Sequence, residues 1–109
     1  MTVSEVYEML ESPGFPVAYD HFEEGETPDL PYLIYCYTGT HDFKADDMVY
    51  LRINALEIEL YTEQKDPESE QKLEDVLKSY GFICKKSEGY LEAEDMYKVL
   101  YETEVIMDE

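Results

Sequence analysis

The stretch from Val49 to Tyr61 carries an apolar rhythm that reverses half-way, and this reversal restricts the fold more than any other feature of the chain. Leu51, Ile53 and Ala55 fall on odd positions, whereas Leu56, Ile58 and Leu60 fall on even ones. Successive side chains of a strand point to opposite sides of the sheet, so a one-residue change of phase moves the apolar set to the other face. Two arrangements satisfy it. A β-bulge near Asn54 to Leu56 would reconcile the two phases, or both faces are covered here, one by helices and the other by another subunit. The second arrangement predicts oligomerisation.

The flanking segments supply the rest of a small sheet. Thr2 and Glu5 have the spacing of a capping box, and Val3, Val6, Tyr7 and Leu10 recur at helical intervals, which predicts a helix over 3–11 ended by Pro13-Gly14. Pro16 to Phe22 predicts a short strand with Val17, Tyr19 and His21 on one side, followed by an acidic connection from Glu23 to Pro31. Tyr32 to Tyr37 is dense in β-formers, and Thr38 to Asp47 is the predicted flexible loop joining it to Val49–Tyr61.

Asp66-Pro67 then reads as a helix cap with proline at the first helical position, where its missing amide costs no bond. Leu73, Val76, Leu77 and Tyr80 form the stripe that covers a sheet, and Gly81 is placed to end the helix. Phe82 to Lys86, a turn at Ser87 to Gly89, and Tyr90 to Glu92 read as a short hairpin, followed by a strand through Tyr97, Val99, Tyr101, Thr103 and Val105. Helical spacing also fits Met96, Val99, Leu100 and Thr103, but the tyrosine and β-branched content decides for a strand. The expected fold is a single α+β domain over 1–109, in the order α-β-β-β-α-β-β. Two helices cover one side of a small, mainly antiparallel sheet.

Charge removes several function classes. Against 8 basic side chains stand 27 acidic ones, a formal net of −19 over 109 residues. Nucleic-acid backbones require a basic footprint, and Lys85-Lys86, the only adjacent basic pair, has Glu88 two residues beyond it. No apolar run approaches the roughly 20 residues of a membrane span, and Glu5, Glu8 and Glu11 stand where an export signal needs a basic and then apolar run, so a cytoplasmic location in the producing cell is expected. Ten Leu, five Ile, seven Val and four Phe, with eleven Tyr, nevertheless provide a core.

No motif carries chemistry. The five glycines are dispersed, and neither His21 nor His41 belongs to a zinc pattern. His41, Asp42, Asp46 and Asp47 offer a loop site for a divalent cation only at undistinguished spacing, so a solvated loop is the expectation. Glu57 and Glu59 share a strand face without a substrate anchor beside them. Cys36 sits in an apolar strand where burial raises a thiol pKa, so it reads as a core cysteine rather than the partner of His21 or His41; Cys36 and Cys84 form no CxxC motif. No catalytic residue, cofactor or metal ligand is expected, and the protein reads as noncatalytic.

Contact surfaces are the stronger signal. Tyr35 with Tyr37 shares one strand face, Tyr97 with Tyr101 another, and Tyr50 and Tyr61 bracket the longest strand. Tyrosine buries a large area at small entropic cost and keeps a hydrogen bond, which suits interfaces as well as sheet packing. Arg52, the sole arginine, is placed to bond a carboxylate of its own or an adjacent subunit. In the loop, Phe43 is placed to anchor a contact or to pack over its own hairpin, and Lys44 to meet an acidic neighbour.

Taken in order, "TVSEVYEMLESPGFPVAYDHF", "PYLIYCYTGTHDFKADDMVY", "LRINALEIELYTEQKDPESEQKLEDVL" and "YLEAEDMYKVLYETEV" resemble the tail-completion, tail-terminator and head–tail joining proteins of siphophages and Gram-positive prophages. Leu56 to Thr62 running into Asp66-Pro67 is the most telling portion. The resemblance implies a noncatalytic ring subunit, in six copies, at the virion tail or head–tail junction, present in the host cytoplasm during assembly. Its implied partners are its own subunits, tail-tube protein and connector. Six copies would carry −114 from −19 each, an acidic wall past which DNA moves without adhering. The alternative is an acidic prophage protein that binds and inhibits a basic host protein.

Overall fold

Local chemistry at two helix starts sets the layer that covers the sheet. The computed structural model describes residues 1–45 and 49–108, and the side chains of all of these except 44, 45, 49 and 50. In α1 (Val3–Glu11) the predicted capping box is present: Glu5 N–H donates to the Thr2 hydroxyl at 3.1 Å, and Thr2 N–H donates to the Glu5 carboxylate at 2.9 Å. In α2 (Pro67–Ser79) the Asp66 carboxylate accepts from the Ser69 amide at 3.1 Å and from its hydroxyl at 2.7 Å. Past its end Gly81 takes a φ of +85°, which a residue with a Cβ rarely adopts.

The strands are β1 (Val17–Tyr19), β2 (Tyr32–Ala45), β3 (Val49–Thr62), β4 (Lys85–Leu91) and β5 (Met96–Met107). They form one sheet in the order β1-β2-β3-β5-β4, with β1 parallel to β2 and every other pairing antiparallel. The expected α+β order is therefore the observed one, in a mixed sheet covered by two helices. Val6, Met9 and Leu10 of α1 and Leu73 and Leu77 of α2 are buried in one cluster with Leu33, Tyr35, Leu56, Ile58, Leu60, Val99 and Tyr101. Partners in register lie on the same side of a sheet, so these strand residues define the helix-covered face.

Several expected boundaries move. The first strand is shorter than Pro16–Phe22, because Asp20 adopts a φ of +66° and turns the chain away after Tyr19. Thr38–Ala45 is strand rather than loop: Gly39 to Ala45 pair residue by residue with Ala55 to Val49, and the predicted loop residues 46–47 lie outside the described ones. Ser87–Gly89 is also strand. The turn falls at Glu92 to Asp95, where Asp95 N–H donates to the Glu92 carbonyl and Asp95 holds a φ of +53°. The acidic Glu92-Ala93-Glu94-Asp95 run suits a solvated turn, which Gly89 had obscured.

Of the two arrangements open for the phase change, a bulge at Asn54 to Leu56 is not found in the pairing of β3 with β5. Register with β5 runs without a break from Arg52↔Met107 to Thr62↔Tyr97. The irregularity is in β2, where Tyr37 pairs with Leu56 and Gly39 with Ala55, leaving Thr38 as the extra residue. The apolar reversal of β3 is thus a true change of face. Leu56, Ile58 and Leu60 point to the helices, and Leu51, Ile53 and Ala55 point to the open face. The principal extents, 51 × 28 × 24 Å, reflect the hairpin that β2 and β3 carry beyond the other elements.

Candidate functional site

Beyond the Thr38 bulge, the β2–β3 hairpin is an arm with inverted polarity. Its open face carries Phe43 opposite Leu51, and Ile53 between His41 of β2 and Ile106 of β5. The face continuing from the helix-covered side carries Asp42 opposite Arg52, and Thr40 opposite Asn54. Phe43 is 55% exposed and Ile106 53% exposed, and Leu51 and Ile53 are half-buried between them. In the body of the sheet the helix-covered face holds the fully buried apolar side chains, and the open face mixes Glu57, Glu59 and Glu102 with Ile34, Tyr61 and Leu100. The Thr38 bulge produces the match between strands: odd positions 33, 35 and 37 of β2 face the helices, and odd positions 41 and 43 face the other way.

Charge follows the same division. Residues 39–55 hold two basic and three acidic side chains, a net of −1, and the other residues hold six and twenty-four, a net of −18. On the open face His41 Nε2 lies 3.0 Å from Glu104, and on the opposite face Arg52 Nε lies 3.9 Å from Asp42. Of the two readings of Arg52, the contact within the chain is therefore present. Beside the arm a groove of about 920 Å³ runs along the end of β5, lined by Phe82, Ile83, Cys84, Val105, Ile106 and Met1 among others. Ile83 is 91% exposed there.

The predicted contact residues separate into three groups. Tyr35 and Tyr101 are core side chains on the helix-covered face, 4% and 2% exposed, and their own fold encloses them. Tyr37 and Tyr97 lie on that same face rather than on two different ones, because Tyr37 pairs with Leu56 and Tyr97 with Thr62. Tyr37 is half-buried against Tyr35 and Tyr19, its ring centroids 6.3 and 5.7 Å from theirs, and burial pushes its hydroxyl pKa up to about 12. Tyr61 is on the open face, its ring tilted against that of Tyr32 with centroids 5.4 Å apart, and its hydroxyl donates to Glu59. Phe43 and Arg52 are on the arm. Lys44 and Tyr50 pair with each other there through the backbone, and their side chains lie outside the described ones.

Sequence reasoning reached Leu51 and Ile53 only as members of a strand face that another subunit could cover, without singling them out as contact residues, and it passed over Ile106. The phase reversal was the signal for the first two; Ile106, one past the predicted strand, had none. It also missed an ionic lattice between α2 and β4. Glu70, with its side chain 4% exposed, accepts from Lys65 at 2.9 Å and lies 2.8 Å from Lys86. Lys65 also reaches Glu88 at 2.7 Å, and Lys86 reaches Glu74 at 2.8 Å. Tyr97 donates to Glu88 at 2.6 Å and Tyr101 to Glu74 at 2.7 Å. The lysine pKa values are raised by these carboxylates, foremost Glu88 for Lys65 and Glu70 for Lys86. The lattice fixes the helix to the hairpin, with every cation already hydrogen-bonded to carboxylate.

Burial raises the Cys36 and Cys84 thiols, with Glu57 adding to the effect at Cys36. Glu59 is held by Lys98 at 3.2 Å. Among the described residues no group of three His, Cys, Asp or Glu side chains is placed to hold a metal ion, and of the loop set Asp46 and Asp47 lie outside them. No helix among the described residues is long and apolar enough to cross a membrane. No protein-family model matches the chain, and no curated protein matches it in sequence.

Proposed function

We propose that the protein is a noncatalytic structural subunit of a phage or prophage particle, acting in tail completion or head–tail joining as one member of a ring. The observation that carries the reading is the β2–β3 arm, which runs past the end of β5 and whose apolar side faces away from its own helices. An arm of this kind suits contact with a neighbouring subunit, tail-tube protein or connector. The acidic body supports the second half of the reading. A ring of such subunits presents carboxylates to DNA and repels its phosphates, which favours passage over binding.

The test is to make particles from a prophage lacking this gene and to image them. Abnormal tail ends, or separated heads and tails, are the expected result, and proteomics of wild-type virions should recover the chain. Normal infectious particles would refute the role.

The same charge favours one other reading, an acidic inhibitor of a basic host protein. A single basic host enzyme recovered from lysate, together with absence of the chain from purified virions, would establish it in place of the first.

A further inference from the structure

We propose that the open face of the arm is a self-association surface, on which a second copy of this chain packs its own arm. This inference concerns the protein in solution and does not depend on a virion role.

Two independent features converge on a second copy. The first is the exchange of apolar side chains from one face to the other at Ala55-Leu56, which places Phe43, Leu51, Ile53 and Ile106 together on a face that no helix among the described residues covers. A patch that crosses three strands is a surface to be covered, unlike isolated exposed residues. The second is charge. A basic partner would be drawn to the body, which carries −18, rather than to residues 39–55, which carry −1; Glu104, the acidic neighbour of Ile106 on this face, lies 3.0 Å from His41 of the arm. The arm is the part of the molecule on which two copies meet with the least mutual repulsion.

The geometry sets how they meet. Glu57, Glu59 and Glu102 occupy the open face of the body and oppose stacking there. Overlap restricted to the arms, with the bodies pointing apart along the 51 Å axis, keeps most of the like charge more than a Debye length of about 8 Å from its counterpart. A two-fold axis through the patch brings the apolar groups of each copy onto those of the other, as in other isologous contacts.

Sedimentation velocity on the full chain tests this, from micromolar to millimolar protein in low and high NaCl. Wild type should pass from 12.8 kDa to twice that mass with rising concentration, and salt should favour the pair because it screens the bodies. Phe43→Ser removes an exposed ring without disturbing the core, and Ile53→Lys introduces a charge at the centre of the patch. Each occurs twice in a two-fold pair, so either variant should weaken association at least about tenfold. Far-UV circular dichroism confirms that both variants are folded. A 12.8 kDa species under every condition, or a pair insensitive to both substitutions, would overturn the proposal. So would a rise in mass seen only on adding a lysine-rich polypeptide and abolished by salt, since the occupant would then be a basic partner.

Discussion

Removing one oxygen atom tests whether the α2–β4 lattice contributes to stability as its geometry implies. Tyr101 is 2% exposed, and its hydroxyl donates at 2.7 Å to a Glu74 oxygen that also accepts from Lys86 at 2.8 Å. Tyr101→Phe keeps the ring, so no large cavity term enters, and what is lost is a hydrogen bond to a charged acceptor, worth about 1.5–3 kcal/mol when shielded. The Glu74 side chain is 35% exposed, so water takes part of the place of the lost donor. That brings the expectation to about 1–2 kcal/mol, or on the order of 5–10 °C in Tm for a domain of this size.

The pH dependence identifies the cause. Burial pushes the Glu74 carboxyl up, and the hydrogen bonds from Lys86 and Tyr101 outweigh it, so the group sits below the ordinary glutamate value in the folded chain. A carboxyl depressed by folding contributes stability that is complete above its unfolded pKa of about 4.3 and is lost as pH falls through the folded value. The difference between wild type and Tyr101→Phe should therefore be full at pH 7 and shrink in that acidic window. Urea unfolding followed by circular dichroism across the range measures it, with Tyr97→Phe as the control, because Tyr97 donates to a more exposed part of the lattice and should shift the midpoint less. An unchanged midpoint for Tyr101→Phe, or a penalty that stays constant through the acid limb, would refute the assignment.

Other outcomes follow from the same structure. Added NaCl should raise the thermal midpoint, since 27 carboxylates face only 8 cations; a midpoint that is flat or falls with salt would contradict self-repulsion as the main electrostatic cost. Leu60→Ala, at a fully buried position beneath the helices, should lower stability by about 2–5 kcal/mol in the same urea assay, and a smaller effect would mean the core there collapses around the gap. Cys36 and Cys84 should react slowly with a small disulfide reagent at neutral pH in the folded chain, because burial raises both thiols; fast labelling before unfolding would show a thiolate that the fold does not predict.

Much of the fold was legible because its signals are local. Thr2 and Glu5 announce one helix, Asp66-Pro67 another, and Gly81 its end, each by chemistry contained within a few residues. What could not be read depends on partners distant in sequence. Thr38–Ala45 contains Gly39, His41 and Asp42, poor strand residues taken alone, and it is held as strand by pairing with Val49–Ala55. Tyr35 and Tyr101 look like contact residues by type, and only the placement of two helices over one face makes them core. The ionic lattice joins residues 65, 70, 74, 86 and 88 across a helix–strand boundary, where no short spacing marks it.

The arm shows why the decisive feature was half visible. In β3 the apolar set changes phase and the backbone does not, so the change can be read directly from Leu51 to Leu60. In β2 the opposite holds. The side chains keep odd spacing from Leu33 to Phe43 while the backbone slips by one residue at Thr38, and Thr38-Gly39-Thr40 has no apolar side chain to register the slip. Each strand reaches the same result by a different route, and the two routes agree only because the pairing aligns Tyr37 with Leu56 and Phe43 with Leu51. A single phase change left uncompensated would put one strand's apolar side chains opposite the other's polar ones. Two that coincide at one level of the sheet turn the whole hairpin outward, which is the physical ground for treating the arm as a contact surface rather than as an irregular end of the core.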